Sequence, residues 1–307
     1  MAWADLTDVQ CYYELLGEGD PLLLIPGLGT TCRLWDGIAP ELAQHFSLIL
    51  PDNRDVGKSI GKTRTPRMLS DFSADLIELL DRLQIERAHV LGISLGGVIA
   101  QRLAIDHPGR VNRLVLVSCS NHFWPYLTEM TKLLGKMVGG ISLTAYQRTM
   151  ELLGTAPEYF DAHQDRINQK IAAAKKSRIS RRAVLRQLRC LAASEPRPDE
   201  YRIESPTLVL SGEYDVIVPH CYASRMARDI PGSVFELVSN CGHNPLDEAP
   251  DRVLPRVIKF LESKPNQRLG DDSGEEGRAG ERGRPIRSAY AWTDRQCDSL
   301  AEAFGER

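Results

Sequence analysis

Ala88-His89-Val90-Leu91 is an apolar run that ends on Gly92-Ile93-Ser94-Leu95-Gly96, and the apolar Val98-Ile99-Ala100 followed by Gln101-Arg102-Leu103-Ala104 comes directly after it. A strand that turns into a helix over five residues pushes one side chain out of the sheet at a crowded corner. The positions two before and two after that residue then have little room for side chains of their own. Glycine stands at both. The pattern predicts a strand, a sharp turn with Ser94 at its apex, and a helix whose unpaired N–H groups and positive end lie beside the serine. A negative charge developing there would be stabilised, which makes Ser94 the candidate nucleophile.

The rest of the chain supplies the elements such a corner needs. Val9 to Leu15 and Leu22 to Ile25 read as strands, separated by Gly17-Glu18-Gly19-Asp20-Pro21 and forming an opening antiparallel pair. Phe46 to Leu50, Val111 to Val117, Thr207 to Leu210 and Val234 to Val238 are further short apolar strands. Between them Phe72, Leu76, Leu79, Leu80 and Leu83 recur at helical spacing over Leu69 to Leu83, with Ser70 or Asp71 as a cap. Strands alternating with helices predict an α/β fold with a mostly parallel central sheet covered by helices on both faces.

The alternation stops between Phe123 and Pro206, where the pattern is helical throughout; this segment is expected to be an inserted helical cap. The chain thus divides into a first core part (1–122), the cap (123–206), a second core part (207–263) and a tail (264–307). The tail's wealth of Gly, Arg, Glu, Asp and Ser leaves too little apolar surface to order it, so disorder is expected there. The centre of the cap carries Lys170, Lys175, Lys176, Arg178, Arg181, Arg182 and Arg186, interleaved with Ile171, Ile179, Val184 and Leu185. This is either a solvated outer helix face or a positive rim for anionic ligands. Met130, Leu133, Leu134 and Met137 fall on one helical face, as a cap core would.

A formal charge of −3 gives no reason to expect nucleic-acid binding. Met1 to Asp8 holds neither a basic leader nor a long apolar stretch, so no secretory signal or membrane span is expected, and the expected location is the cytoplasm. Seven scattered cysteines fit reduced thiols better than a disulfide framework. None forms a C-x-x-C pair, which argues against structural zinc.

A serine hydroxyl is a weak nucleophile and needs a base within hydrogen-bond reach, with a third group holding that base in the useful tautomer. His243 lies in Asn240-Cys241-Gly242-His243-Asn244-Pro245, after the strand ending at Val238. Asp215 lies in Ser211-Gly212-Glu213-Tyr214-Asp215, after the preceding strand. The order serine, acid, histidine is that of a strand-elbow hydrolase. Glu213, Asp247 and Glu248 compete for the acid role. Glu213 is two residues off the expected position, while Asp247 and Glu248 follow the histidine closely and suit the cap of a helix starting near Ala249-Pro250.

Donors for an oxyanion are worth about 3–4 kcal/mol each in serine hydrolases. Pro26-Gly27-Leu28-Gly29-Thr30 leaves the Leu22 to Ile25 strand and offers the backbone N–H of Leu28; the backbone N–H of Leu95 would be the second. The same turn lacks the lysine and Ser/Thr of a P-loop and the third glycine of a dinucleotide fingerprint.

With Pro26-Gly27-Leu28-Gly29, Asp52-Asn53-Arg54-Asp55-Val56-Gly57-Lys58-Ser59, Gly92 to Gly96, Gly212 to Asp215 and Gly242-His243 in place, Val9 to Leu261 resembles the α/β-hydrolase fold superfamily. Within it the chain is similar to small cofactor-free carboxylesterases, enol-lactonase-like and non-haem haloperoxidase-like proteins. The resemblance implies Ser94, Asp215 and His243 as a triad, Leu28 and Leu95 as oxyanion donors, and neither metal nor organic cofactor. It departs from the family pattern at Pro26, where many relatives have histidine, and at Asp55, where they usually have glycine. The expected activity is hydrolysis of a small-molecule carboxylic ester through an acyl-enzyme. Lactone or carbon–carbon bond hydrolysis, or a hydrolase-like ligand receptor with little turnover, are the alternatives. Phe123 and Trp124, at the entry to the cap, are candidates for the wall of the substrate pocket, with an ordinary cap core as the other reading. Cys241 is either a sensitive thiol beside the histidine or a buried small hydrophobe.

Overall fold

The apolar runs become the strands of one sheet. In the computed structural model, which describes residues 1–62, 68–122, 124–176, 179–193 and 202–263, these are β1 (Ala2–Asp5), β2 (Val9–Leu16), β3 (Asp20–Ile25), β4 (Phe46–Pro51), β5 (Ile60–Gly61), β6 (Ala88–Ile93), β7 (Val111–Val117), β8 (Thr207–Gly212) and β9 (Val234–Val238). Their spatial order is β1-β2-β4-β3-β6-β7-β8-β9, with β5 on β2. From β4 through β9 every neighbouring pair is parallel, while β1, β2 and β5 pair antiparallel. β6 and β8 are buried at every position, as expected of parallel strands covered on both faces.

The helices are α1 (Ala39–Leu42), α2 (Leu69–Arg82), α3 (Leu95–Asp106), α4 (Pro125–Gly140), α5 (Leu143–Gly154), α6 (Pro157–Ala162), α7 (Gln164–Lys176), α8 (Arg181–Ala192), α9 (His220–Asp229), α10 (Pro245–Glu248) and α11 (Pro250–Glu262). On one face of the sheet Leu76, Leu80, Ile99, Leu103 and Met226 from α2, α3 and α9 pack on Leu23, Val90, Leu116 and Val209. On the other, Leu42, Val253, Val257 and Phe260 from α1 and α11 pack on Leu24, Leu48, Leu91, Val115 and Leu208. Each such side chain contributes about 1.5–3 kcal/mol by leaving water, so this double-sided core is the rigid base on which the loops at the strand ends are mounted.

Three local expectations need correction. β2 and β3 are antiparallel in direction but are not neighbours, because β4 lies between them. Gly17, at φ +80°, has the backbone carbonyl of Ala43 so close that a Cβ would lie 2.5 Å from it; the linker crosses over the start of β4 instead of closing a hairpin. Asp71 does not occupy the cap position of α2. It sits three residues in, where its carboxylate accepts from the backbone N–H of Met68, the capping residue. Leu133 is 48% exposed, and the buried face of α4 runs instead through Leu127, Leu134 and Val138.

α4 to α8 stand between β7 and β8. A small core of Leu134, Val138, Tyr146, Val184 and Leu188 joins α4, α5 and α8. Phe123 and the tail from 264 onward lie outside the described residues. Cys11, Cys32, Cys119 and Cys241 are free and buried, and Cys190 is buried. No helix among the described residues is long and apolar enough to cross a membrane.

Candidate active site

Ser94 sits between β6 and α3 with φ +54° and ψ −121°, a conformation that costs a non-glycine residue on the order of 1–3 kcal/mol. The surrounding backbone leaves it no alternative. A Cβ on Gly92 would collide with the carbonyl of Gly96, and one on Gly96 with the carbonyl of Ile25. Gly97 is a third obligatory glycine, since a Cβ there would lie 2.5 Å from Cys119 Sγ. The Ser94 N–H donates to Val117 O at 2.9 Å and its carbonyl accepts from Val98 N–H at 3.1 Å. The turn is thereby tied to β7 on one side and to the first turn of α3 on the other.

Because β6 to β9 are parallel, their carboxyl ends share one rim. The loop after β8 is stitched to the loop after β9: Glu213 N–H donates to Val238 O at 3.0 Å and Tyr214 N–H to Cys241 O at 2.8 Å. Across this junction His243 Nδ1 lies 2.8 Å from Asp215 Oδ2. The other oxygen, Asp215 Oδ1, accepts from the N–H groups of Ile217 and Val218, both at 2.9 Å. Asp215 is 3% exposed. A buried carboxylate held by two backbone donors keeps a fixed direction, and its bond to Nδ1–H leaves His243 Nε2 as a free lone pair for a hydroxyl. Two of the three candidate catalytic side chains are thus in direct contact, and Ser94 occupies the same rim two strands away from the acid loop.

The competing acids are engaged elsewhere. Glu213 accepts from Asn240 N–H at 3.1 Å. Asp247 pairs with Arg166 at 2.6 Å and with Lys170. Glu248 accepts from Gly242 N–H at 3.0 Å and from Ala156 N–H at 2.9 Å. Neither Asp247 nor Glu248 caps α11, whose capping residue is Ala249. Burial holds the Glu248 carboxyl above the usual range, against the pull of the backbone donors it accepts from.

The loop carrying Leu28 lies directly on the elbow: a Cβ on Gly27 would be 3.5 Å from Ser94 Cβ. Asn53 Nδ2 donates to Pro26 O at 3.0 Å and Thr30 Oγ1 to Gly27 O at 2.9 Å. Gly29, at φ +62°, donates its N–H to Gln187 Oε1 at 2.8 Å. Leu95, whose N–H opens α3, is 2% exposed. Asn53 could have been singled out from the Asp52 to Ser59 motif. No local signal marks Gln187, because its partner is far away in the sequence and meets it only through the fold.

The basic stretch is mixed: Lys175, Arg181 and Arg182 are exposed, while Lys170 and Arg186 are half-buried. Arg186 pairs with Asp55 at 3.0 Å, and Arg181 donates to the carbonyls of Val138 and Gly139 at the end of α4, both at 3.2 Å. Burial alone would lower Lys170, yet the carboxylates of Asp247 and Glu151 outweigh it and hold its ammonium above the ordinary value. Asp55 adopts φ +66°, a left-handed conformation that aspartate tolerates better than most residues. Trp124 packs against Leu127, Cys221 and Tyr222 with Arg225 over its ring. Beside it, Tyr126 donates to Val216 O at 2.6 Å, one residue beyond Asp215. Cys241 is 1% exposed and burial pushes its thiol up to about 11, the behaviour of a small hydrophobe and not of a reactive thiol.

Residues 20–138 match the family model for the alpha/beta hydrolase fold. A candidate carbamate hydrolase, RutD, of Agrobacterium fabrum is 25% identical over 254 residues, 81% of this chain and 97% of the relative. A hydrolase from Pseudomonas aeruginosa superposes with a TM-score of 0.74 at 26% identity, covering 85% of this chain and 98% of the other. The enol-lactonase of Burkholderia xenovorans superposes with a TM-score of 0.76 at 22% identity, over 85% and 100% of the two chains.

Proposed function

We propose that the chain, which has the α/β-hydrolase fold, is a serine hydrolase that cleaves a small-molecule carboxylic ester through a Ser94-His243-Asp215 triad. His243 Nε2 takes the hydroxyl proton as Ser94 Oγ attacks the carbonyl carbon. Asp215 keeps the proton on Nδ1 and stabilises the imidazolium, and the N–H groups of Leu28 and Leu95 receive the oxyanion. His243 then gives its proton to the departing alcohol. Water, deprotonated by the same imidazole, releases the acid from the acyl-serine. The reading calls on no metal and no organic cofactor, and it makes α4 to α8 the cap that shapes the substrate pocket.

The observation that supports it most is the 2.8 Å pair of His243 Nδ1 and buried Asp215, mounted on the same strand ends as a serine held at positive φ. A fluorophosphonate should label wild-type protein stoichiometrically at Ser94, and Ser94→Ala should abolish both labelling and turnover of short-chain aryl esters. Near-normal turnover by the variant would refute the reading.

The relatedness to a candidate carbamate hydrolase favours one second reading. A carbamate presents the same attacked carbonyl and would pass through a carbamoyl-serine, so the triad alone does not choose. A panel of aryl esters, lactones and carbamates, ranked by kcat/KM, distinguishes the three substrate classes.

A further inference from the structure

The loop that carries Leu28 is anchored twice, once from the sheet and once from the helical insertion. On the sheet side Asn53 holds the carbonyl of Pro26. On the insertion side Gln187, 1% exposed in the middle of α8, accepts from the N–H of Gly29. One turn earlier in α8, Val184 presses on the same residue, close enough that a Cβ on Gly29 would be 3.0 Å from Val184 Cγ2. Leu28 itself packs into the cluster formed by Leu134, Val138, Tyr146, Val184 and Leu188.

Leu28 has glycine on both sides, so the chain there has little intrinsic preference for one orientation. Its two peptide planes are set by what grips them from outside. The Gly29 N–H belongs to the plane that follows Leu28, and fixing that plane limits the rotation of the Leu28 N–H before it. An oxyanion donor acts only if it points at the developing charge before the reaction starts. A displacement of about 1 Å can cost 100-fold in rate.

We infer that Gln187 is a positioning residue: from the insertion, it holds the Leu28-Gly29 peptide in the orientation that lets the Leu28 N–H receive an oxyanion. Assembly of the oxyanion hole is therefore conditional on α8 being docked on the Pro26 to Thr30 loop. The inference rests on the serine-hydrolase reading above and adds that the insertion, besides shaping a pocket, completes the catalytic machinery.

Gln187→Met keeps the length and removes the acceptor. It should lower kcat/KM for an aryl ester about 10- to 100-fold with KM within about 3-fold. The decisive measurement is the affinity of a trifluoromethyl ketone, whose hemiketal oxygen needs the same donors. It should weaken by the same factor as kcat/KM, while fluorophosphonate titration still counts one active serine per chain. A residue that only supports the fold would reduce the titrated active fraction and leave the ketone affinity of the remainder unchanged; that result overturns the inference.

Should the methionine variant fail to fold, Gln187→Glu keeps an acceptor for Gly29 and brings a negative charge beside the hole. Its ketone affinity should fall further as pH rises through the carboxyl's titration, and wild-type affinity at every pH overturns the inference. Absence of labelling and turnover in the wild-type protein would instead refute the serine-hydrolase reading, so the two failures are distinguishable.

Discussion

The rim of the sheet and the helical insertion meet at the same site but are built by different physics. At the rim, backbone packs against backbone. A Cβ on Gly92 or Gly96 would collide with a backbone carbonyl, and the loops after β8 and β9 are joined by main-chain hydrogen bonds. The insertion has a small apolar core of its own and is tied down by long polar side chains: Arg166 and Lys170 on Asp247, Arg186 on Asp55, and Gln187 on Gly29. Glu248 joins the two regions, bridging the N–H groups of Gly242 beside the histidine and Ala156 in the insertion. Steric constraint yields a site that tolerates almost no change. Polar tethers yield an insertion that can be altered step by step.

The largest test of the comparison removes the chemistry at the rim. Ser94→Ala or His243→Ala should each lower kcat about 10⁶-fold, and Asp215→Asn about 10⁴-fold. The Ser94 and His243 double variant should be little worse than either single one, because the groups act as a unit. Additive losses in ester-hydrolysis kinetics would break the assignment. Next is Gly96→Ala, whose Cβ would collide with the Ile25 carbonyl. We expect a loss of about 3–5 kcal/mol in urea unfolding, whereas Gly139→Ala in the insertion, where a Cβ meets nothing within 4 Å, should be neutral or stabilising by up to about 1 kcal/mol.

How much of each region was legible beforehand follows from the same difference. Steric necessity leaves a local imprint, so Gly92 to Gly96, the strands Val111 to Val117 and Val234 to Val238, and the loops of Asp215 and His243 could be read from neighbouring residues. The position of β4 between β2 and β3 could not, since it depends on how the Gly17 to Gly19 linker crosses over another strand. Nor could Gln187, Arg186 or Asp247 be matched with Gly29, Asp55 and Arg166. Charge and amide groups carry no address in the sequence, and a basic stretch looks alike whether it faces water or carboxylates.

The sheet interior permits a pH test of its rigidity. Burial pushes His89, in β6, down to about 4 from an ordinary 6.5, so the folded state holds a neutral imidazole where the unfolded chain binds a proton. Stability from this group is fully present above pH 6.5 and is lost as pH falls toward 4, by about 3 kcal/mol in total. His89→Leu should flatten the unfolding free energy over that interval; an unchanged slope would mean that water reaches the strand.

The smallest expected effect probes the tethers. Asp247 is mostly buried while its partners Arg166 and Lys170 are 42% and 36% exposed, so solvent screens the attraction, and Asp247→Asn should cost only about 1 kcal/mol in thermal or urea unfolding. The variant keeps an oxygen for one donor and loses the charge that holds two cations on the loop beside His243. If the insertion is held mainly by such pairs, KM should rise a few-fold while kcat stays near the wild-type value. Raising ionic strength should produce the same rise in KM for wild-type protein and little further change in the variant. A fall in kcat with KM unchanged would instead place Asp247 with the rim, and the division between a sterically fixed site and an electrostatically tethered cover would have to be redrawn at α10.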